Sequence, residues 1–233
     1  MGDVDGILQV GYCYRNGIGV ERDECKAFIY YQKSVEMGNT DGTFALGHCY
    51  REGIGVEKDE HKAFIYYLKS AEMGSADGTL QVGICYKKGI GVEKDEHKAF
   101  IYCQKSAEMG NAIGIFALGE CYRNGIGVEK SEHKAFICYQ LSAEMGNADG
   151  IYNVGYCYRH GIGVQKDELK AFIYFKKSAE VGNADGISEV AECYRNGIGV
   201  IRDLHKANYW YQREKDLASG SDANIKNLQK YQC

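Results

Sequence analysis

Three sets of side chains in this 233-residue chain have residue types that could do chemistry. Six cysteines, Cys13, Cys49, Cys85, Cys121, Cys157 and Cys193, recur every 36 residues without an insertion or deletion. His61, His97, His133 and His205 fall in a second column of the same period. Ser131-Glu132-His133-Lys134 matches the S-x-x-K pattern of serine β-lactamases. Each can be weighed against what the chemistry demands. A structural zinc needs four converging ligands, whereas residues one repeat apart lie on layers ~10 Å apart with no carboxylate or thiol to complete a set. The histidines therefore read as a solvated column.

Like cysteines on neighbouring layers are also beyond the ~7 Å Cα separation a disulfide tolerates. Cys25, Cys103, Cys138 and Cys233 fall outside the column and form no regular second partner. The thiols read as buried and free, in a reducing compartment. The S-x-x-K match lacks the companion S-D-N and K-T-G signals, and Ser131 reads as a helix cap. The recurrent Gly-Ile-Gly-Val link fails as a dinucleotide fingerprint, which needs a third glycine and a preceding strand. No catalytic residue, cofactor or metal is expected.

The remaining function classes are bounded by composition. With 28 basic against 32 acidic residues and a net charge of −4, no polycationic face is available for nucleic acid. Apolar runs stay far below the ~20 residues a bilayer span requires, and the opening MGDVDG has no secretory-signal character. Membrane insertion is not expected, and the chain reads as a cytoplasmic monomer.

The elements that place these columns follow from the 36-residue unit. Numbered from Gly6, Gly42, Gly78, Gly114, Gly150 and Gly186, every unit has a glycine-bounded apolar segment, a G-I-G-V link and K-A-[FN]. Val10, Cys13, Tyr14 and Gly17 fall at i, i+3, i+4 and i+7, one stripe of a helix that Gly17 ends in a left-handed cap. Asp23 is a suitable N-cap for a second helix over roughly residues 24–37, with Ala27, Tyr30, Tyr31, Ser34 and Val35 as its stripe and Gly38 closing it. Asn39 and Asp41 offer oxygen acceptors to the next helix, and in the fourth unit Ser131 replaces the capping Asp. With 30 glycines and no proline, glycine does the punctuating.

The expected fold is thus all-α: six helix-turn-helix repeats over 6–41, 42–77, 78–113, 114–149, 150–185 and 186–221. Ser221 would cap a short terminal helix over 222–233 carrying Ile225, Leu228 and Tyr231. No matching cap precedes the first unit, which reads as a segment of a longer protein. Units one and three share L-Q-V-G, from Leu8 and Leu80, while two and four share F-A-L-G, from Phe44 and Phe116, as duplication of a two-unit block would leave them.

The unit resembles the Sel-1-like repeat, a relative of the tetratricopeptide repeat, over roughly residues 3–221. The motif L-G-x-x-Y-x-x-G-x-G-V is present as Leu46-Gly47, Tyr50, Gly53, Gly55 and Val56. The second-helix motif A-x-x-W-Y-x-x-A-A-x-x-G is present as Ala63, Tyr66, Tyr67, Ser70, Ala71 and Gly74. Gly42 stands where the family has Ala, Tyr66 where it has Trp and Ser70 where it has Ala. The glycine is expected to loosen each first helix by ~0.5–1 kcal/mol, less near its start. The resemblance implies a right-handed superhelix of antiparallel hairpins, used as an adaptor or scaffold without activity of its own. Secreted cysteine-rich members pair two cysteines within one unit, which these units do not offer.

The first-helix positions that change between units share a face beside the apolar stripe. They are Gln9, Tyr12, Asn16; Ala45, His48, Glu52; Gln81, Ile84, Lys88; Ala117, Glu120, Asn124; Asn153, Tyr156, His160; and Glu189, Glu192, Asn196. From these, Tyr12, Asn16, His48, Glu52, Ile84, Lys88, Glu120, Asn124, Tyr156, His160, Glu192 and Asn196 form the candidate partner-binding row, on the concave face that the resemblance implies. Such a row could take an extended peptide or a helix of a protein partner, or be an ordinary solvated face. Arg15, Arg51, Lys87, Arg123, Arg159 and Arg195 sit at first-helix C-termini, where a cation meets the helix dipole or could meet an acidic partner. The leading reading is a non-catalytic scaffold or adaptor. The alternative is a regulatory segment of a larger enzyme such as a kinase or glycan synthase.

Overall fold

A computed structural model describes residues 4–219 of the chain. The described residues form twelve helices in six hairpins and no strand. The first helices of the hairpins are α1 (Val4–Asn16), α3 (Thr40–Glu52), α5 (Ala76–Lys88), α7 (Ala112–Asn124), α9 (Ala148–His160) and α11 (Ala184–Asn196). The second helices are α2 (Glu24–Glu36), α4 (Glu60–Glu72), α6 (Glu96–Glu108), α8 (Glu132–Glu144), α10 (Glu168–Glu180) and α12 (Leu204–Ala218). The expected terminal helix over 222–233, with its cap Ser221, lies outside the described residues.

The boundaries are set by the residues the spacing picked out. Asp23 is the N-cap of α2 and its carboxylate accepts from the Lys26 amide at 2.9 Å. Asp59, Asp95, Asp167 and Asp203 repeat the arrangement, and Ser131 does so for Lys134 with its hydroxyl. Asn39 caps α3 by accepting from the Gly42 amide at 2.7 Å, while Asp41 lies inside the first turn, where its charge suits the helix dipole. At the other end, Gly53 closes α3 at φ 75° and receives Cys49 as its hydrogen-bond acceptor. Only glycine takes that left-handed conformation without a Cβ penalty, so it replaces proline as the stop signal.

Two compact units divide the chain. Among the described residues, the first runs to Leu118 and includes Ile126–Glu129; the second comprises Gly119–Gly125 and residues 130–219. In the first, α1 to α5 each pack against the next helix in the chain; in the second, α8 to α11 do the same. Each unit is therefore a one-dimensional stack held by neighbour contacts. Ala27, Tyr31, Leu46, Cys49, Ala63, Tyr67, Val82 and Cys85 form the buried core of the first unit, and Val154, Cys157, Ala171, Phe175, Val190 and Cys193 are buried in the second. The link residues Ile54, Val56, Ile90 and Val92 pack on the core cluster, whereas Ile18 and Val20 of the first link are exposed.

Two contacts lock each hairpin onto the next. At the start of α3, a Cβ on Gly42 would lie 2.4 Å from the Ser34 hydroxyl oxygen, and the same pairing joins Ser70 to Gly78 and Ser178 to Gly186. The glycine expected to loosen the helix is thus required by close approach, and the serine and glycine departures from the family motif answer one another. In the link, a Cβ on Gly55 would lie 2.0 Å from the Glu24 carbonyl oxygen, as Gly91 would against Glu60.

The candidate binding face of the first helices

The arginine column does more than meet helix dipoles. Arg51 Nη1 donates to Gln81 Oε1 at 3.1 Å, Arg123 Nη1 donates to Asn153 Oδ1 at 3.4 Å, and Arg159 pairs with Glu189. Each arginine reaches the fourth position of the following repeat, so Gln81, Asn153 and Glu189 are occupied from within. Burial raises the Glu189 carboxyl above its ordinary value, and the Arg159 guanidinium opposes that shift.

The histidine column is also tied in. The Nδ1 atoms of His61, His97 and His133 lie 2.9, 3.4 and 3.1 Å from the carbonyl oxygens of Gly91, Gly127 and Gly163 in the next link. The rings are exposed, but each carries an inter-repeat contact that the solvated reading missed. The repeat-to-repeat spacing from His61 to the second glycine of the next link was the available signal.

The candidate row divides into two kinds of residue. Tyr12, Asn16, Glu52, Lys88, Asn124, His160 and Asn196 are exposed, while His48, Ile84, Glu120, Tyr156 and Glu192 are half-buried. Tyr12 is 39% exposed. Tyr156 is more enclosed: the Arg123 guanidinium lies 5.3 Å above its ring and His160 packs 4.3 Å from it. Asn16 and Asn124 donate back to the carbonyl oxygens of Tyr12 and Glu120 at 2.9 Å, and Glu52 pairs with Arg51 at 2.9 Å.

A tyrosine on the second helix bears on part of the variation. In the fourth repeat, Tyr139 donates its hydroxyl proton to Glu120, which also lies 3.9 Å from Arg123. The sixth repeat has the same triad: Tyr211 donates to Glu192 at 2.5 Å and Arg195 lies 3.3 Å from that carboxylate. Burial and then the Glu120 hydrogen bond raise the Tyr139 phenol, and the Tyr211 hydrogen bond lowers the Glu192 carboxyl. In the second repeat His48 takes the place of the glutamate. Its Nδ1 and the Tyr67 hydroxyl are both buried with no hydrogen-bond partner. Burial lowers the His48 pKa, aided by Arg15, and burial pushes Tyr67 up to about 12.

Of the nine cysteines among the described residues seven are buried, Cys13 is half-buried and Cys25 is exposed. Among the same residues no group of three or more His, Cys, Asp or Glu side chains is arranged to hold a metal ion, and no helix is long and apolar enough to cross a membrane.

The geometry of paired, 36-residue hairpins defines a helical repeat protein, and comparison with known proteins gives its family. The Sel1 repeat profile matches residues 4–39, 40–75, 76–111, 112–147, 148–183 and 184–213, so the chain belongs to the Sel1 repeat family. A Sel1 repeat protein from Oxalobacter formigenes is 31% identical, with a TM-score of 0.87 over 92% of this chain and 88% of that one. A protective antigen of uropathogenic Escherichia coli with an SLR fold is 29% identical at a TM-score of 0.81, covering 92% of this chain and 46% of that one. The immunity protein Pa5087 of Pseudomonas aeruginosa, 22% identical at a TM-score of 0.65 over 98% of this chain and 87% of that one, shares the fold alone. No curated protein matches the sequence.

Proposed function

We propose that the chain is a non-catalytic protein-interaction scaffold that holds a peptide segment or helix of a partner along the face of its first helices. The observation that carries this reading is the division of labour within the repeat. The capping, stacking and core residues are nearly constant, while Tyr12, His48, Ile84 and Lys88 in the first unit and Tyr156 and His160 in the second differ from one repeat to the next. Sel1 repeats are commonly protein-interaction scaffolds and typically non-catalytic, which supports the same reading. We also propose a monomer in a cytoplasmic setting, where a reducing environment suits a chain with this many buried thiols.

Affinity capture with the wild-type chain and two variant sets tests it. Tyr12→Ala with Lys88→Glu probes the first unit, and Tyr156→Ala with His160→Ala probes the second. We expect at least one set to reduce capture of the wild-type partner about tenfold, a loss of ~1.4 kcal/mol, with an unchanged melting temperature. Full retention by both sets, with the fold intact, rejects the reading.

A further inference from the structure

The fourth and sixth repeats show which chemical group completes the tyrosine and arginine of this fold. In both, a carboxylate from the first helix accepts the hydrogen bond of the second-helix tyrosine, buried Tyr139 or half-buried Tyr211, and lies beside the arginine three residues further on. The second repeat has the same tyrosine and arginine, Tyr67 and Arg51, with the carboxylate replaced by an imidazole. The consequence is visible in two atoms: the Tyr67 hydroxyl, in a fully buried residue, and His48 Nδ1 are both left unpartnered. Arg51 pairs with Glu52 and Gln81 while its charge still bears on Tyr67, opposing the rise of that phenol, and the neighbouring charge bearing on His48 from α1 is Arg15. A buried hydroxyl whose proton has no acceptor, beside the Arg51 guanidinium, calls for an acceptor carrying negative charge.

Resting on the scaffold reading above, we propose that the second repeat binds the carboxylate of an acidic side chain from a partner segment, at His48, Arg51 and Tyr67. The incoming carboxylate does what Glu120 and Glu192 do internally in their own repeats. It meets Arg51 and the half-buried imidazole first, and reaches the Tyr67 hydroxyl as the imidazole turns aside. The first unit thereby selects acidic segments, while the fourth and sixth repeats, whose triads are already filled, do not.

Titration of the full chain with acetyl-Ala-Glu-Ala-amide, followed by the ring resonances of His48 and Tyr67, tests the site, with acetyl-Ala-Gln-Ala-amide as the isosteric control. We expect saturable shifts from the Glu peptide at ~1–10 mM, the range for one isolated charge-assisted contact, and none from the Gln peptide. The His48 pKa should rise on binding. A carboxylate opposes burial and the Arg15 and Arg51 charges, which hold it down, and acts in the same direction as Glu52.

His48→Glu supplies the carboxylate internally, so it should abolish the shifts at Tyr67 and raise the melting temperature. Arg51→Gln should weaken Glu-peptide binding several-fold, and it keeps the test decisive if the first variant does not fold. The proposal is overturned by equal responses to the two peptides, by no response at His48 or Tyr67, or by wild-type affinity in Arg51→Gln. The titration needs no partner. If it fails while the face variants still lose the captured partner, the scaffold stands and acid recognition falls. Shifts from the Glu peptide alongside unaffected capture have the opposite meaning: the carboxylate site stands and the scaffold reading falls.

Discussion

At the scale of single residues, the pairing of Ser34 with Gly42 is the sharpest case of one side chain dictating another. Alanine normally improves a helix by ~0.5–1 kcal/mol over glycine. Here the added methyl would meet the serine oxygen at 2.4 Å and its Cβ at 2.8 Å, an overpacking that costs ~1–3 kcal/mol. Gly42→Ala should therefore destabilise the chain despite its better propensity, read as a lower denaturant midpoint. Combining it with Ser34→Ala should restore part of the loss, because the oxygen is removed and the Cβ contact stays. Additive effects in that double-mutant cycle would show that the two residues do not constrain each other.

This pair also marks the limit of what the sequence alone conveys. Capping by Asp23, Asn39 and Ser131 was legible because a cap acts within three residues of its own position. Ser34 with Gly42, Arg159 with Glu189, and His61 with the Gly91 carbonyl link successive repeats, and no local pattern announces them. The candidate face was visible as a row of variable positions, but not every member of that row is left to solvent. Glu120 and Glu192 accept the hydrogen bond of the tyrosine behind them, so part of the variation serves contacts within the repeat.

At the scale of elements, the second glycine of the link isolates what repeat-on-repeat packing contributes. Gly19 and Gly55 have nearly the same backbone, φ 70° and 66°, but an added Cβ on Gly19 meets nothing within 4 Å whereas on Gly55 it runs into the Glu24 carbonyl. Gly19→Ala should cost only the left-handed backbone penalty of ~1–2 kcal/mol. Gly55→Ala carries that penalty and must also push α2 away from the link, adding ~1–3 kcal/mol by overpacking. Chemical denaturation of the two variants measures the difference directly. Equal losses would mean that the link does not seat against the preceding hairpin.

The same scale accounts for the polarity of α12. In earlier repeats a phenylalanine on the second helix meets the next repeat's tyrosine edge-on, as Phe28 does Tyr50 and Phe172 does Tyr194, at 5.5 and 5.3 Å. Asn208 occupies that position in α12, and Glu214 stands where the earlier helices have serine. Both residues that would grip a following hairpin are replaced by polar ones, which suits α12 to end a stack. Restoring them with Asn208→Phe and Glu214→Ser should let α12 engage the Gly6 and Tyr14 side of a second copy, a head-to-tail contact that does not close on itself. Sedimentation at increasing concentration should then show more association than the parent chain does; sedimentation of the double variant unchanged from the parent's would deny the two residues that role.

At the scale of the whole molecule, repetition multiplies the cost of any group the core holds in one protonation state. Burial raises the thiols of Cys49, Cys85 and Cys157 to about 11 and that of Cys193 to about 12, from 9.0. Each folded-state pKa lies above its unfolded value, so the folded chain holds these protons more tightly. The stability they contribute is complete below pH 9, and is lost as pH rises from there through the folded values, because only the unfolded chain can ionise cheaply. Tyr67, raised to about 12 from 10.0, extends the same loss to higher pH. With the thiols acting together in that window, the denaturant midpoint should be level between pH 7 and 8 and fall steeply between pH 9 and 11, under reducing conditions. Replacing Cys49 and Cys193 by alanine should make that fall shallower, whatever the variant's stability at neutral pH. If the slope were unchanged, the alkaline loss would have to come from the tyrosines or from exposed charges, and the cysteine column would be packing without a titration signature.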